Sequence, residues 1–271
     1  MIITKEFVML NLPKTGSTFV RTVLKQLYRP KGFKRALLKL KLIAPPLIEL
    51  KLPNIKMENR RADQHGTFSQ IPPEFLNREV FSVIRDPYSR FLSLYQFRSW
   101  ANPEQLTVDP AILDRDFPEF PDLDIDAFVD LLIESEKSRL RFFTGVETNS
   151  TSIGVQTIQF IQMFFKDPVN VLNRLDDSYF ESGAYRKDLA VTRFIRQEDL
   201  NEELFQYLRK YEFKEQDLEF IRSYKKLNVT KANKGDRSDL WTAKALNYIQ
   251  YRERHLLQML KDLDIHYTSP V

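Results

Sequence analysis

One local pattern occurs three times along this chain and limits the folds open to it. A short apolar run is followed by a polar turn, and then by apolar residues at helical spacing. Phe7 to Leu12 leads into Pro13-Lys14-Thr15-Gly16 and on to Phe19, Val20, Val23, Leu24 and Leu27. Val80 to Ile84 leads into Arg85-Asp86-Pro87 and on to Phe91, Leu92, Leu94 and Tyr95. Ala190 to Ile195 leads towards Glu198-Asp199 and on to Leu204, Phe205 and Leu208, with Asp199 or Asn201 placed to cap that helix. Short apolar runs read as buried strands, and recurrence at three- and four-residue steps reads as helix. Strands alternating with helices predict an α/β fold, a P-loop-like three-layer sandwich with a mostly parallel central sheet flanked by helices. In such sheets ligands bind outside the carboxyl ends of the strands, so the three turns are expected to face one crevice.

The 271 residues fit one α/β domain, 1–271, with insertions near 31–64 and 102–124. The acidic, proline-containing stretch from Asp109 to Asp126 reads as a surface insertion. Lys231 to Asp239 reads as a polar loop, and Trp241 to Leu263 as one C-terminal helix. Apolar residues make up 42%, with 21 Phe and 11 Tyr, which supplies a core and argues against disorder. The chain has no cysteine, which excludes disulfides, thiolate metal sites and cysteine nucleophiles, and fits a reducing compartment. A net charge of +4 suits phosphate or sulfate ligands but is too small to argue for nucleic acid.

The opening residues lack the features of a signal peptide, so a cytoplasmic protein is expected. A lumenal catalytic domain lacking its anchor is the alternative. Ala36 to Leu52 is apolar, but Lys39, Lys41, Lys51, Glu49 and Pro45-Pro46 prevent it from spanning a membrane. It reads as an amphipathic helix broken by the prolines, or else as a membrane-surface or acceptor-binding element. No feature speaks to oligomeric state.

Two segments carry chemistry. Pro13-Lys14-Thr15-Gly16-Ser17-Thr18 lies where a strand passes into a helix, a geometry that aims backbone N–H groups at one point and binds phosphate. Lys14 adds a point charge, and Thr15, Ser17 and Thr18 add hydroxyls. This is not a Walker A loop, because Ser17 follows Gly16 where a lysine is required, and Asn11 stands where the first glycine belongs. The second segment is Arg85-Asp86-Pro87-Tyr88-Ser89-Arg90-Phe91-Leu92-Ser93. Arg85 at a strand end offers a planar, permanently charged fork suited to a phosphate monoester.

Together these segments resemble the PAPS-dependent sulfotransferases, closest to the carbohydrate and bacterial members. In that family a Pro-Lys-x-Gly-(Ser/Thr)-(Ser/Thr) loop holds the 5′-phosphosulfate of 3′-phosphoadenosine-5′-phosphosulfate, and an Arg followed eight residues later by a Ser holds the 3′-phosphate. Here these are residues 13–18, and Arg85 with Ser93. Arg196-Gln197-Glu198-Asp199-Leu200 resembles the family's third strand end. The resemblance is firm over 5–29 and 79–101 and looser over 190–210. It implies a sulfotransferase that moves a sulfuryl group from PAPS to an acceptor hydroxyl on a glycan, lipid or small metabolite. The coproduct would be 3′,5′-adenosine bisphosphate, and no metal would be needed. Lys14 would stabilise the leaving phosphate.

The base is expected to be His65, since an unperturbed imidazole suits proton acceptance near neutrality and many glycan-modifying relatives carry a base at about this position. Glu58 is the fallback. Lys231, Lys234 and Arg237 form a late basic loop, and the family resemblance implies that such a loop closes over the 3′-phosphate. Ser152 to Gln162 would line the acceptor cleft. His255 and His266 read as helix-packing or solvated. A kinase-like phosphotransferase and a non-catalytic nucleotide-binding relative are the competing readings.

Overall fold

The computed structural model describes residues 1–53, 62–144, 152–225 and 237–270. In chain order these hold β1 (Ile2–Thr4), β2 (Phe7–Leu10), α1 (Ser17–Leu27), α2 (Gly32–Lys39), β3 (Leu47–Glu49), β4 (Glu79–Ile84) and α3 (Pro87–Phe97). There follow α4 (Pro110–Asp116), α5 (Ile125–Thr144), α6 (Val155–Phe164), α7 (Pro168–Asn173), α8 (Asp177–Glu181), β5 (Arg193–Arg196) and α9 (Leu200–Leu208). The described residues form two compact units, one from 1–53, 62–85 and 191–225, the other from 86–144, 152–190 and 237–270.

The first unit contains a five-stranded sheet in the order β3-β1-β2-β4-β5. β2 pairs with β4, and β4 with β5, in parallel. β1 pairs antiparallel with both β2 and β3. The expectation of a mostly parallel sheet therefore holds for its central and β5 side, and the other side is antiparallel. β1 and β3 have three residues each, too few to show a period. A two-residue connection, Lys5-Glu6, turns β1 directly into β2, which only an antiparallel pair permits.

One face of this sheet is closed by α1 and α9. Phe19, Val20, Val23 and Leu24 of α1, and Leu204, Phe205 and Leu208 of α9, pack with Phe7, Met9, Phe81, Val83 and Ile195. The Phe7 ring meets Phe81 edge-on at 5.2 Å and Tyr207 at 5.8 Å. Removing an aromatic ring so placed from water contributes roughly 1.5–3 kcal/mol.

In the second unit every residue of α6 is buried. A second core gathers Tyr88, Phe91 and Leu92 of α3 with Phe128, Val129 and Leu131 of α5 and with Tyr248 and Ile249. The 109–126 stretch is not purely a surface insertion. Leu113, Phe117 and Leu123 belong to this core and pin α4 down. The C-terminal helix is also divided, into Ala243–Asn247, a π-helical turn at Tyr248–Arg252, and Arg254–Lys261. The division falls at Glu253, whose side chain turns inward to cap α6. Its carboxylate accepts from the N–H groups of Gln156 and Thr157, both at 2.8 Å, and from the Thr157 hydroxyl at 2.6 Å. Among the described residues, no helix is long and apolar enough to cross a membrane.

Candidate functional site

The carboxyl ends of the three parallel strands come together within the first unit. Gln197, just past β5, donates its N–H to the Ile84 carbonyl at the end of β4 at 2.8 Å. Arg85, the residue after β4, donates through Nη1 to the Lys14 carbonyl at 3.3 Å. A Cβ built on Gly16 would stand 3.1 Å from Leu200 and 3.2 Å from Gln197. The turns after β2, β4 and β5 thus lie side by side, as the strand-turn-helix pattern predicts.

The turn after β2 is tightly shaped. Lys14 has φ 66° and Gly16 has φ 87°, both left-handed. Gly16 is the N-cap of α1 and contributes no capping side chain. The left-handed conformation costs a non-glycine residue about 1–2 kcal/mol, strain of the kind that gathers at ligand-binding loops. The first N–H groups of a helix lack intrahelical partners, so the N-terminus of α1 presents donors and a positive dipole end. Thr15 is fully buried and donates its hydroxyl to the Leu12 carbonyl at 2.9 Å. That hydroxyl braces the turn. Ser17 is buried at the first position of α1, and Thr18 is exposed.

Lys14 is half-buried, and its ammonium is lowered from 10.5 to about 8. Burial is the larger cause, and the neighbouring charge of Arg85 is the second. Two cations are held together at the mouth of a phosphate-type loop. An anion between them would relieve both the desolvation and the repulsion.

His65 is half-buried beside the same turn. Its Nδ1 lies 2.6 Å from the Asn11 carbonyl, one residue past β2. A carbonyl can only accept, so in the neutral ring Nδ1 carries the proton and Nε2 the lone pair. Two further bonds fix the ring's setting. The His65 N–H donates to Asp63 at 2.7 Å, and the fully buried Asn11 donates through Nδ2 to the Gln64 carbonyl at 3.0 Å. Asn11 and Gln197 are parts of this site that the sequence reading did not single out. An asparagine inside the apolar run Phe7 to Leu12 was the available signal for the first.

The remaining expected residues are distributed along the rest of the chain. Ser93 is half-buried on α3, in the second unit. The acid beside Arg85 is a cap, since Asp86 accepts from the N–H groups of Tyr88 and Ser89 at 3.1 and 3.2 Å. Glu58, Lys231 and Lys234 lie outside the described residues. Arg237 begins a short 3-10 turn. The acceptor-cleft reading of 152–162 does not fit the burial of that segment. Gln156 and Gln159 accept from the buried guanidinium of Arg90 instead. His255 is a packing residue, stacked on Phe180 at 4.1 Å with Nε2 at 3.0 Å from Asp177. His266 is exposed. Among the described residues no cluster of His, Asp and Glu is arranged to hold a metal.

Mouse sulfotransferase SULT7A1, solved in complex with PAP, superposes with a TM-score of 0.37 at 15% identity, over 95% of this chain and 83% of that one. No curated protein sequence matches. The model of the sulfotransferase family matches residues 2–138, just over half of the chain, including the β2 turn, His65 and Arg85. On that match the chain belongs to the sulfotransferase family.

Proposed function

We propose that this protein transfers a sulfuryl group from PAPS to the hydroxyl of a glycan, lipid or small metabolite. The observation that carries the reading is the pairing of Lys14 and Arg85 at the ends of two adjacent parallel strands, over a left-handed turn and a helix N-terminus. Lys14 and the N–H groups of residues 15–18 would hold the 5′-phosphosulfate. Arg85 would hold the 3′-phosphate, as the family resemblance implies.

In the reaction the acceptor oxygen forms a bond to sulfur while the bond from sulfur to the bridging phosphate oxygen breaks. The acceptor proton passes to Nε2 of His65. Lys14 stabilises the charge that grows on the departing bisphosphate, the in-line electrostatic arrangement that such group transfers require. The carbonyl of Asn11 supports this role, because it sets the tautomer that leaves Nε2 able to accept.

Thermal unfolding with 3′,5′-adenosine bisphosphate, beside ADP and ATP with Mg²⁺, tests the donor. Saturation at 100 times the dissociation constant adds about 2.7 kcal/mol, a rise of roughly 5–10 °C for a chain of this size. The rise is expected with the bisphosphate alone and is lost in Arg85→Ala. A rise confined to ATP and Mg²⁺ would replace this reading with phosphoryl transfer. No rise with any nucleotide would point to a relative that has lost donor binding.

A further inference from the structure

The stretch that follows α1 is strongly cationic. No acidic residue occurs between Glu6 and Glu49, while Arg29, Lys31, Lys34, Arg35, Lys39 and Lys41 lie within thirteen positions. Among the described residues none of these six side chains forms an ion pair. α2 sits in the middle of this stretch and buries no residue. Phe33, Ala36, Leu37 and Leu40 recur at i, i+3, i+4 and i+7, one apolar arc of a helix, with Lys34, Arg35 and Lys39 around the rest.

An arc of this kind normally turns towards a core. Here it turns to water, with Phe33 75% and Leu40 68% exposed. The chain then folds back on itself. Lys41 takes a left-handed φ of 57°, and the Leu42 N–H bonds to the Leu37 carbonyl at 2.9 Å. This sets Leu42 and Ile43, 67% and 37% exposed, just beyond the end of the helix. Exposed apolar side chains are ordinary when scattered, but a cluster of four on one short segment marks a surface that meets something.

We infer that α2 and the turn behind it dock this protein on an anionic lipid bilayer. The cationic ring would meet the lipid headgroups, and Phe33, Leu40, Leu42 and Ile43 would enter the boundary between headgroups and acyl chains. The charge selects an anionic partner. The apolar arc selects a bilayer over a soluble polyanion, because a polyanion would engage the Lys and Arg side chains and give no role to the exposed phenylalanine and leucines. The inference stands independently of the sulfuryl-transfer reading.

Co-sedimentation of the full chain with vesicles tests it. Binding is expected to phosphatidylcholine vesicles containing about one-third phosphatidylglycerol and not to pure phosphatidylcholine. Phe33→Ser with Leu40→Ser is expected to abolish most of this binding. Both side chains point into solvent, so an unchanged circular dichroism spectrum and melting temperature should accompany the loss. Each basic residue near an anionic surface is worth about fivefold in partitioning. Lys34→Glu with Lys39→Glu should therefore weaken binding by more than tenfold, and raised salt should weaken the native chain. If anionic vesicles fail to retain the native chain, or retain the serine variant equally, the inference is wrong. Heparin or RNA binding that survives the serine substitutions, without vesicle binding, would make the patch a polyanion site instead.

Discussion

Arg85 donates through Nη1 to the carbonyl of Lys14 at 3.3 Å, which ties the second cation of the site to the backbone of the loop that carries the first. The Arg85 charge also helps hold the Lys14 ammonium near 8. Below that pH the loop presents two charges, and above it one. Affinity for 3′,5′-adenosine bisphosphate should therefore be highest below pH 8 and fall as pH rises through that value. Binding near pH 8 should also take up a proton, because the ligand's phosphates restore the ammonium. Calorimetry in buffers of different ionisation enthalpy measures both effects. Lys14→Arg keeps its charge and should show neither, and a pH-dependence identical to the native one in that variant would remove Lys14 from the site.

The same shift has a sign for stability. Folding lowers the Lys14 value below its unfolded 10.5, so the folded state disfavours the charged form. That cost is fully present below about 8 and is relieved as pH rises from there towards 10.5. Native Lys14 should make the protein relatively less stable than Lys14→Met on the acid side of this window, with the gap closing through it. Paired denaturation curves at pH 7 and pH 10 would show the trend, and a gap that widened with pH would contradict it.

Gly16 is constrained twice, by its left-handed φ of 87° and by Leu200 and Gln197 standing 3.1 and 3.2 Å from where a Cβ would go. Gly16→Ala should cost about 1–2 kcal/mol from the backbone alone, and more if Leu200 cannot shift. It should also remove the bisphosphate-induced rise in melting temperature, since the loop would relax away from α9. A stable variant that bound the ligand normally would show that the left-handed turn is not needed for binding.

The roles of His65 and Asn11 can be separated. His65→Ala should abolish turnover and leave the bisphosphate-induced stabilisation unchanged. Asn11→Ala keeps the backbone carbonyl that receives His65 Nδ1 but loses the Nδ2 bond to Gln64. It should lower kcat more than it raises KM for the donor, and cost roughly 1 kcal/mol of stability for the lost buried bond. Steady-state kinetics of both variants would decide this. Full activity in His65→Ala would overturn its assignment as base.

These residues differ in how far the sequence alone revealed them. The turn at Lys14 to Gly16 and the strand end at Arg85 were legible because each is set by its immediate neighbours, an apolar run before and a helical period after. The contact between them was not, since it depends on β2 and β4 pairing in parallel across seventy residues. β1 and β3 were missed because three residues carry no period. The division of the C-terminal helix was missed for a similar reason. Nothing near Glu253 in sequence shows that its carboxylate is required at the start of α6, nearly a hundred residues away.

That last relationship supports a prediction about the second unit. Glu253 is fully buried, and burial pushes its carboxyl above the usual range while the Thr157 and Gln156 donors oppose the shift. Gly154 lies against it, so that a Cβ there would stand 2.1 Å from the carboxyl carbon. Glu253→Ala leaves the donors at the α6 N-terminus unsatisfied and should cost roughly 1–3 kcal/mol. Gly154→Ala should cost a similar amount, because its methyl must push the carboxylate off the cap. In the double variant no carboxylate remains to be displaced, so the two losses should not add. Denaturation midpoints of the two single variants and the double variant form a thermodynamic cycle. A double variant no less stable than Glu253→Ala would show that the two positions act through one cap. Losses that simply summed would mean that Gly154 is required for some reason other than the approach of Glu253.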